Sequence, residues 1–213
     1  MTESPQGPQS SASGAAATPE APSAPKTGQP GKTTRIVWID CEMTGLDFKQ
    51  DTLVEIACVV TESDLTPVDD GVSVVIKPAD APFEAMDEFV VNMHKNSGLL
   101  NEIPHGTTLA AAQKEILDYI KGHVPESGKA PLAGSSVYVD RIFLAREMPE
   151  LDEYLHYRLI DVSSLKELAK RWYPKAYYSA PEKTGNHRAL GDILDSIAEL
   201  DYYRSAILIP PPQ

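Results

Sequence analysis

The chain has 213 residues, of which 42% are hydrophobic, and a formal net charge of −12. That length suits one domain with an appendage. Its acidity argues against a surface built to grip long nucleic acid, which needs many phosphates neutralised by lysine and arginine, and no apolar run is long enough to span a bilayer.

Residues 1–32 are rich in Pro, Ala, Ser, Gly, Thr and Gln and contain no aromatic residue. Such a segment cannot bury enough apolar surface to offset the entropy of ordering it. A disordered tail over 1–32 and a folded domain over 33–213 are therefore expected. The tail lacks the apolar core of a secretory signal and the arginines of an organelle-targeting peptide, and it carries Glu3 and Glu20. The expected compartment is the cytoplasm. Lys26 and Lys32 cancel those two acids, so the whole excess of negative charge belongs to the domain.

The first expected strand is the β-branched run from Arg35 to Ile39, ending at Asp40. Leu53 to Thr61 and Val72 to Lys77 read as two more, joined by short turns such as Asp69-Asp70-Gly71 into an antiparallel meander. Cys41 and Cys58 fall in these apolar stretches without CxxC spacing, and are expected as free buried thiols. From Thr108 to about Gly122 the spacing of Leu109, Ala112, Ile116, Leu117 and Ile120 predicts a helix. An apolar run from Pro131 to Val139 leads to Asp140 and a helical stretch over 141–147. A brief strand over 158–162 follows, and then a helix headed by a Ser164/Glu167 capping box and ending before Pro174. The last helix spans about 188–204, with Leu190, Ile193, Leu194, Ile197 and Leu200 as its core stripe. This order predicts an α/β fold: a mixed sheet, three antiparallel strands extended by parallel ones, with flanking helices.

Asp40 and Glu42 sit two apart on a strand, so their side chains leave one face while Cys41 points into the core. Paired carboxylates repel, and a cation between them is the usual remedy; a surface pair or a helix cap is the alternative. Asp140 also follows an apolar run, where an N-cap role would serve equally. Asp192 lies on the polar flank of the last helix, where solvent exposure is the ordinary outcome. His187 lies in a glycine-containing loop just before it. Four acids and one imidazole are the set needed to hold divalent cations and activate a water.

The block from Trp38 to Asp47 (WIDCEMTGLD), Val139-Asp140 and His187-Arg188-Ala189-Leu190-Gly191-Asp192 resemble the DEDDh exonucleases, and among them the oligoribonucleases. Ser97-Gly98-Leu99, Met148 to Leu151, His156-Tyr157-Arg158, Asp161-Val162-Ser163 and Arg171 to Pro174 agree, so the similarity runs from about Arg35 to Arg204. The resemblance implies an RNase H-like fold with a five-stranded sheet. It further implies 3′→5′ hydrolysis of very short RNAs, down to dinucleotides, to 5′-mononucleotides.

By the same resemblance Asp40, Glu42, Asp140 and Asp192 hold two divalent cations, Mg²⁺ or Mn²⁺, and His187 takes a proton from the attacking water. Leu46 wedges between the two bases, although a core role would also suit it. Ser136, Arg158 and Ser163 hold the 5′-terminal phosphate, Ser163 being equally suited to cap a helix. His94 lies beside the substrate or serves the structure alone. Tyr157 reaches the other subunit's site, implying a homodimer. Two departures stand out: Phe89 occupies an aromatic position that is commonly Trp in the family, and Ser135-Ser136-Val137-Tyr138 replaces an Asn-Ser-x-Gly pattern. The alternatives are a DEDDh exonuclease acting on longer RNA or DNA, and a nucleotide-binding protein that does not cleave.

Overall fold

Strand β1 (Ile36–Met43) has alternating side chains that feed two separate cores. Val37, Ile39, Cys41 and Met43 join one, and Ile36 and Trp38 join the other. The computed structural model describes residue 1 and residues 35–209 except 184 and 186, so the tail expected over 1–32 lies, but for its first residue, outside the described residues.

Among the described residues, β1 is the middle strand of a five-stranded sheet ordered β3-β2-β1-β4-β5. Strand β2 (Leu53–Thr61) pairs antiparallel with β1, and β3 (Val72–Val75) antiparallel with β2. Strands β4 (Pro131–Gly134) and β5 (His156–Asp161) extend the sheet in parallel. The expected mixed α/β sheet with flanking helices is the observed one.

Short helices α1 (Asp80–Glu84), α2 (Glu88–Asn96) and α3 (Leu99–Glu102) with a 3₁₀ turn (Ile103–His105) lead to α4 (Leu109–His123). Helices α5 (Tyr138–Glu147) and α6 (Pro149–Tyr154) lie between β4 and β5, and α7 (Val162–Trp172), α8 (Pro174–Tyr178) and α9 (Ala189–Ile207) complete the domain. Helices α4 and α5 bury Ile116, Leu117, Ile120, Phe143 and Leu144 in the core shared with Val37 and Ile39. Helix α9 buries Ala189, Ile193 and Ile197 against Trp38 on the opposite face.

Several expectations are corrected. Strand β1 continues through Asp40 to Met43, so the acid pair lies inside the strand, not at its end. Its parallel neighbour β4 is in register only with Val37 and Trp38; beyond that point the Cys41 amide of β1 donates to the Asp140 carboxylate instead. Strand β4 stops at Gly134, where a Cβ would come within 3.0 Å of the Ile39 carbonyl. Asp140 is therefore in the first turn of α5 rather than at a strand end. Helix α7 starts at Val162 and is capped by Asp161, which accepts from the Ser163 amide. Ser164 and Glu167 lie exposed within it, so they form no capping box at its head. On α9, Leu194 is exposed while Ser196, Glu199 and Tyr203 are buried, because α7 packs on the helix beside the sheet. Helices α1 to α3 were not expected: the buried residue of α2 is His94, which leaves no apolar stripe to read.

Candidate active site

The sheet places Asp40 and Glu42 on the face covered by α9, and the first turn of α9 brings Asp192 to them. Each offers a carboxylate oxygen, and these three atoms lie within 4.8 Å of one another. Burial pushes all three carboxyl groups above their ordinary range, and the Asp192 charge adds to it at Asp40 and Glu42. Glu42 is pushed up to about 8, first by desolvation and then by Asp192, Glu55 and Asp140.

Asp140 comes from the opposite layer, which explains why it stands beside the trio rather than within it. Its Oδ1 accepts the Cys41 amide at 3.0 Å. It is 5% exposed, and desolvation pushes its carboxyl up to about 7. Asp140 nonetheless belongs to the same field, since its charge is the largest electrostatic contribution to the raised Asp40 value. His187 is exposed, and its charge draws Asp192 back toward the ionised form, so the two are near neighbours.

His94 is fully buried on α2, where its Nε2–H donates to the Met43 carbonyl at 2.8 Å. That leaves Nδ1 without a hydrogen-bond partner, 3.8 Å from the Glu42 carboxylate. Burial lowers its pKa, so the ring is held neutral and cannot repel a cation. Leu46, 75% exposed, and Phe89, 74% exposed, face a cavity of about 260 Å³ whose wall includes Glu42, Met43 and Met93. Asp87 caps α2 and accepts the Phe89 amide at 2.8 Å, which sets the main chain of Phe89 in the first turn of that helix.

Ser136 and Ser163 meet on one carboxylate that sequence reasoning overlooked. Asp161 Oδ1 accepts the Ser136 amide at 3.0 Å, the Ser163 amide at 2.9 Å and the Ser163 hydroxyl at 2.6 Å. Ser136 has φ of +57°, a left-handed turn that sends the chain from β4 into α5. Arg158 and Tyr157 lie earlier on edge strand β5, the guanidinium 5.4 Å from the Tyr157 ring centroid. Tyr157 is 73% exposed and stacks on His156.

Two further buried acids were also missed. Glu55, 1% exposed, faces Glu42 directly across the β1–β2 ladder and is bonded by Arg188. Glu199, 3% exposed, pairs with both Lys166 and Lys183. The signal for Glu55 was available: a lone acid in the apolar run LVEIACVVT requires a cationic partner.

Comparison with known proteins converges on this arrangement. A family model described as exonuclease matches residues 37–200. The zinc-bound complex of E. coli exonuclease I with single-stranded DNA superposes with a TM-score of 0.65 at 14% identity, over 82% of this chain. This chain spans 41% of that longer one, and the likeness is one of fold. The sheet, its helices and the acid cluster thus define an exonuclease domain of RNase H-like fold. An oligoribonuclease of Streptomyces avermitilis is 60% identical over 84% of this chain and 89% of its own length. One from Mycobacterium sp. (strain KMS) is 54% identical, over 83% of each chain. This chain belongs to the oligoribonuclease family and is a 3′→5′ exoribonuclease by class. The family and the acid cluster together indicate use of divalent metal.

The raised carboxyl values make metal binding measurable through stability. Glu42 titrates near 8 when folded and Asp140 near 7, whereas both titrate near 4 in an unfolded chain. The folded state thus holds extra protons between those limits, and the metal-free protein loses stability as pH rises through them. Melting temperature in chelator should fall from about pH 5 to about pH 8, and added Mn²⁺ should restore more of it at the upper end. A pH-independent Mn²⁺ effect would contradict the cluster as its binding site.

Proposed function

We propose that this chain hydrolyses very short RNAs, dinucleotides above all, to 5′-mononucleotides with two divalent cations, Mg²⁺ or Mn²⁺. The observation that carries the reading is the crowding of Asp40, Glu42 and Asp192 oxygens within 4.8 Å. Hard carboxylate oxygens suit hard cations. Asp40, Glu42 and Asp192 would hold the ions, with Asp140 joining through the oxygen that does not bond Cys41. Divalent cations held by these carboxylates would supply stabilisation of the charge that develops on the attacking and leaving oxygens. His187 accepts a proton from the attacking water, whose oxygen bonds to phosphorus as the P–O3′ bond breaks. The 3′ oxygen of the preceding nucleotide leaves and takes a proton from solvent water.

Substrate length follows from both ends of the site. Leu46 and Phe89 receive the bases, His94 supports that wall from behind through the Met43 carbonyl, and Ser136, Arg158 and Ser163 bind a 5′-terminal phosphate, for which the arginine fork is well shaped. A chain capped at that end has nowhere to extend, and the net charge of −12 disfavours long RNA. Tyr157, exposed on edge strand β5, would reach a base in the partner's site, which makes the working unit a homodimer. The buried free thiols Cys41 and Cys58 support a reducing cytoplasmic location. The catalytic activity is assigned to residues 33–213, with no part for residues 1–32.

A length series of labelled RNAs tests the reading: turnover should be fastest on the dinucleotide, and equal rates on chains of about twenty would overturn it. Replacing His187 with Ala should lower kcat by about 10²–10⁴-fold while metal and dinucleotide still bind; wild-type turnover would remove His187 from the mechanism. Deleting residues 1–32 should leave dinucleotide turnover unchanged, and loss of activity would place the tail in the site.

A further inference from the structure

The backbone at His187 is left-handed, with φ of +49°. That conformation is uncommon for any residue but glycine, although histidine adopts it more readily than most, and restraint from the neighbouring chain helps to hold it. The next residue supplies the restraint. Arg188 Nε lies 3.3 and 3.2 Å from the two Glu55 oxygens, and its Nη2 donates to one of them at 3.0 Å. The outer edge of the guanidinium meets both oxygens of Glu102 on α3, at 2.9 and 3.0 Å.

Glu55 is itself locked, since it also accepts the Ser73 hydroxyl at 2.9 Å and the Ala189 amide at 3.3 Å. It thereby ties the start of α9 to β2. The main chain of Arg188 adds a second link, because its carbonyl accepts the Asp192 amide at 3.0 Å. One residue is thus joined to the histidine by the chain, to Asp192 by the helix and to β2 and α3 by a planar fork that lysine cannot reproduce. On the other flank of His187, Lys183 meets buried Glu199 at 3.1 Å.

We propose that Arg188 is a positioning residue: clasped between Glu55 and Glu102, it sets His187 over the carboxylates of Asp40, Glu42 and Asp192. The proposal rests on the reading of His187 as proton acceptor. Releasing the fork lets the histidine leave its left-handed turn and lose the attacking water, while the β1 acids stay where the sheet holds them.

The test is a double-mutant cycle on dinucleotide hydrolysis. Arg188→Gln should lower kcat by about 10²-fold with little change in KM. In a His187→Ala background the same change should cost no more than about twofold, since the group it positions is gone. Arg188→Lys should recover only part of the loss. Glu102→Gln, at the exposed end of the clasp, keeps Glu55 paired; it should lower kcat by about tenfold with the same loss of effect beside His187→Ala. This variant decides the matter if Arg188→Gln fails to fold. Equal fold-losses in both backgrounds, or wild-type kcat in Glu102→Gln, would overturn the positioning role alone. A wild-type protein inert on dinucleotides, or a His187→Ala variant with full activity, would instead overturn the underlying reading and the proposal with it.

Discussion

Like charges forced together by the sheet are the constraint on which this molecule turns. The two-residue period of β1 sends Asp40 and Glu42 out of the same face, and the packing of Ile193 and Ile197 beside Trp38 brings the first turn of α9 over them. Asp192 is thereby placed with a carboxylate oxygen within 4.8 Å of those of Asp40 and Glu42. Burial of these carboxylates disfavours their charged forms, and repulsion that is poorly screened there adds to it, so protons are retained well above the ordinary carboxylate range. A divalent cation reverses the sign of the interaction. The same crowding that weakens the metal-free fold supplies the affinity of the site.

The two layers of helices have separate duties. Helices α4 and α5 form the larger core and deliver Asp140, whose carboxylate is tethered to the Cys41 amide and so to β1 itself. Helix α9 forms the smaller core and delivers Asp192, with His187 just ahead of it. Because β4 is in register only with Val37 and Trp38, the second half of β1 has no parallel neighbour to fill the space beside it. That edge of β1 is met instead by Asp140 from the first turn of α5. Pre-organised, partly desolvated groups at such a place act on developing charge without first reorganising.

Much of this was legible in the residues. Strand alternation alone put Asp40 and Glu42 on one face and Cys41 in the core, and α4 emerged from the spacing of Ala112, Ile116 and Ile120. The position of Asp140 is not legible because an apolar run does not reveal where a strand stops; β4 ends at Gly134, and the left-handed turn at Ser136 sends the chain into α5. The helix cap at Asp161 was missed because Ser164 and Glu167 have the spacing of a cap, and only three-dimensional strand pairing shows that β5 ends at the aspartate. Short helices such as α2 carry too little apolar periodicity to register. Contacts between distant charges, Arg188 with Glu55 above all, depend on topology, which no local pattern encodes.

Anomalous diffraction from crystals soaked in Mn²⁺ addresses the central claim directly, because it locates the ions without relying on turnover. The account predicts manganese peaks enclosed by the carboxylates of Asp40, Glu42 and Asp192, with Asp140 contributing from the opposite layer. An empty site at saturating manganese, or peaks bound elsewhere on the acidic surface, would contradict it.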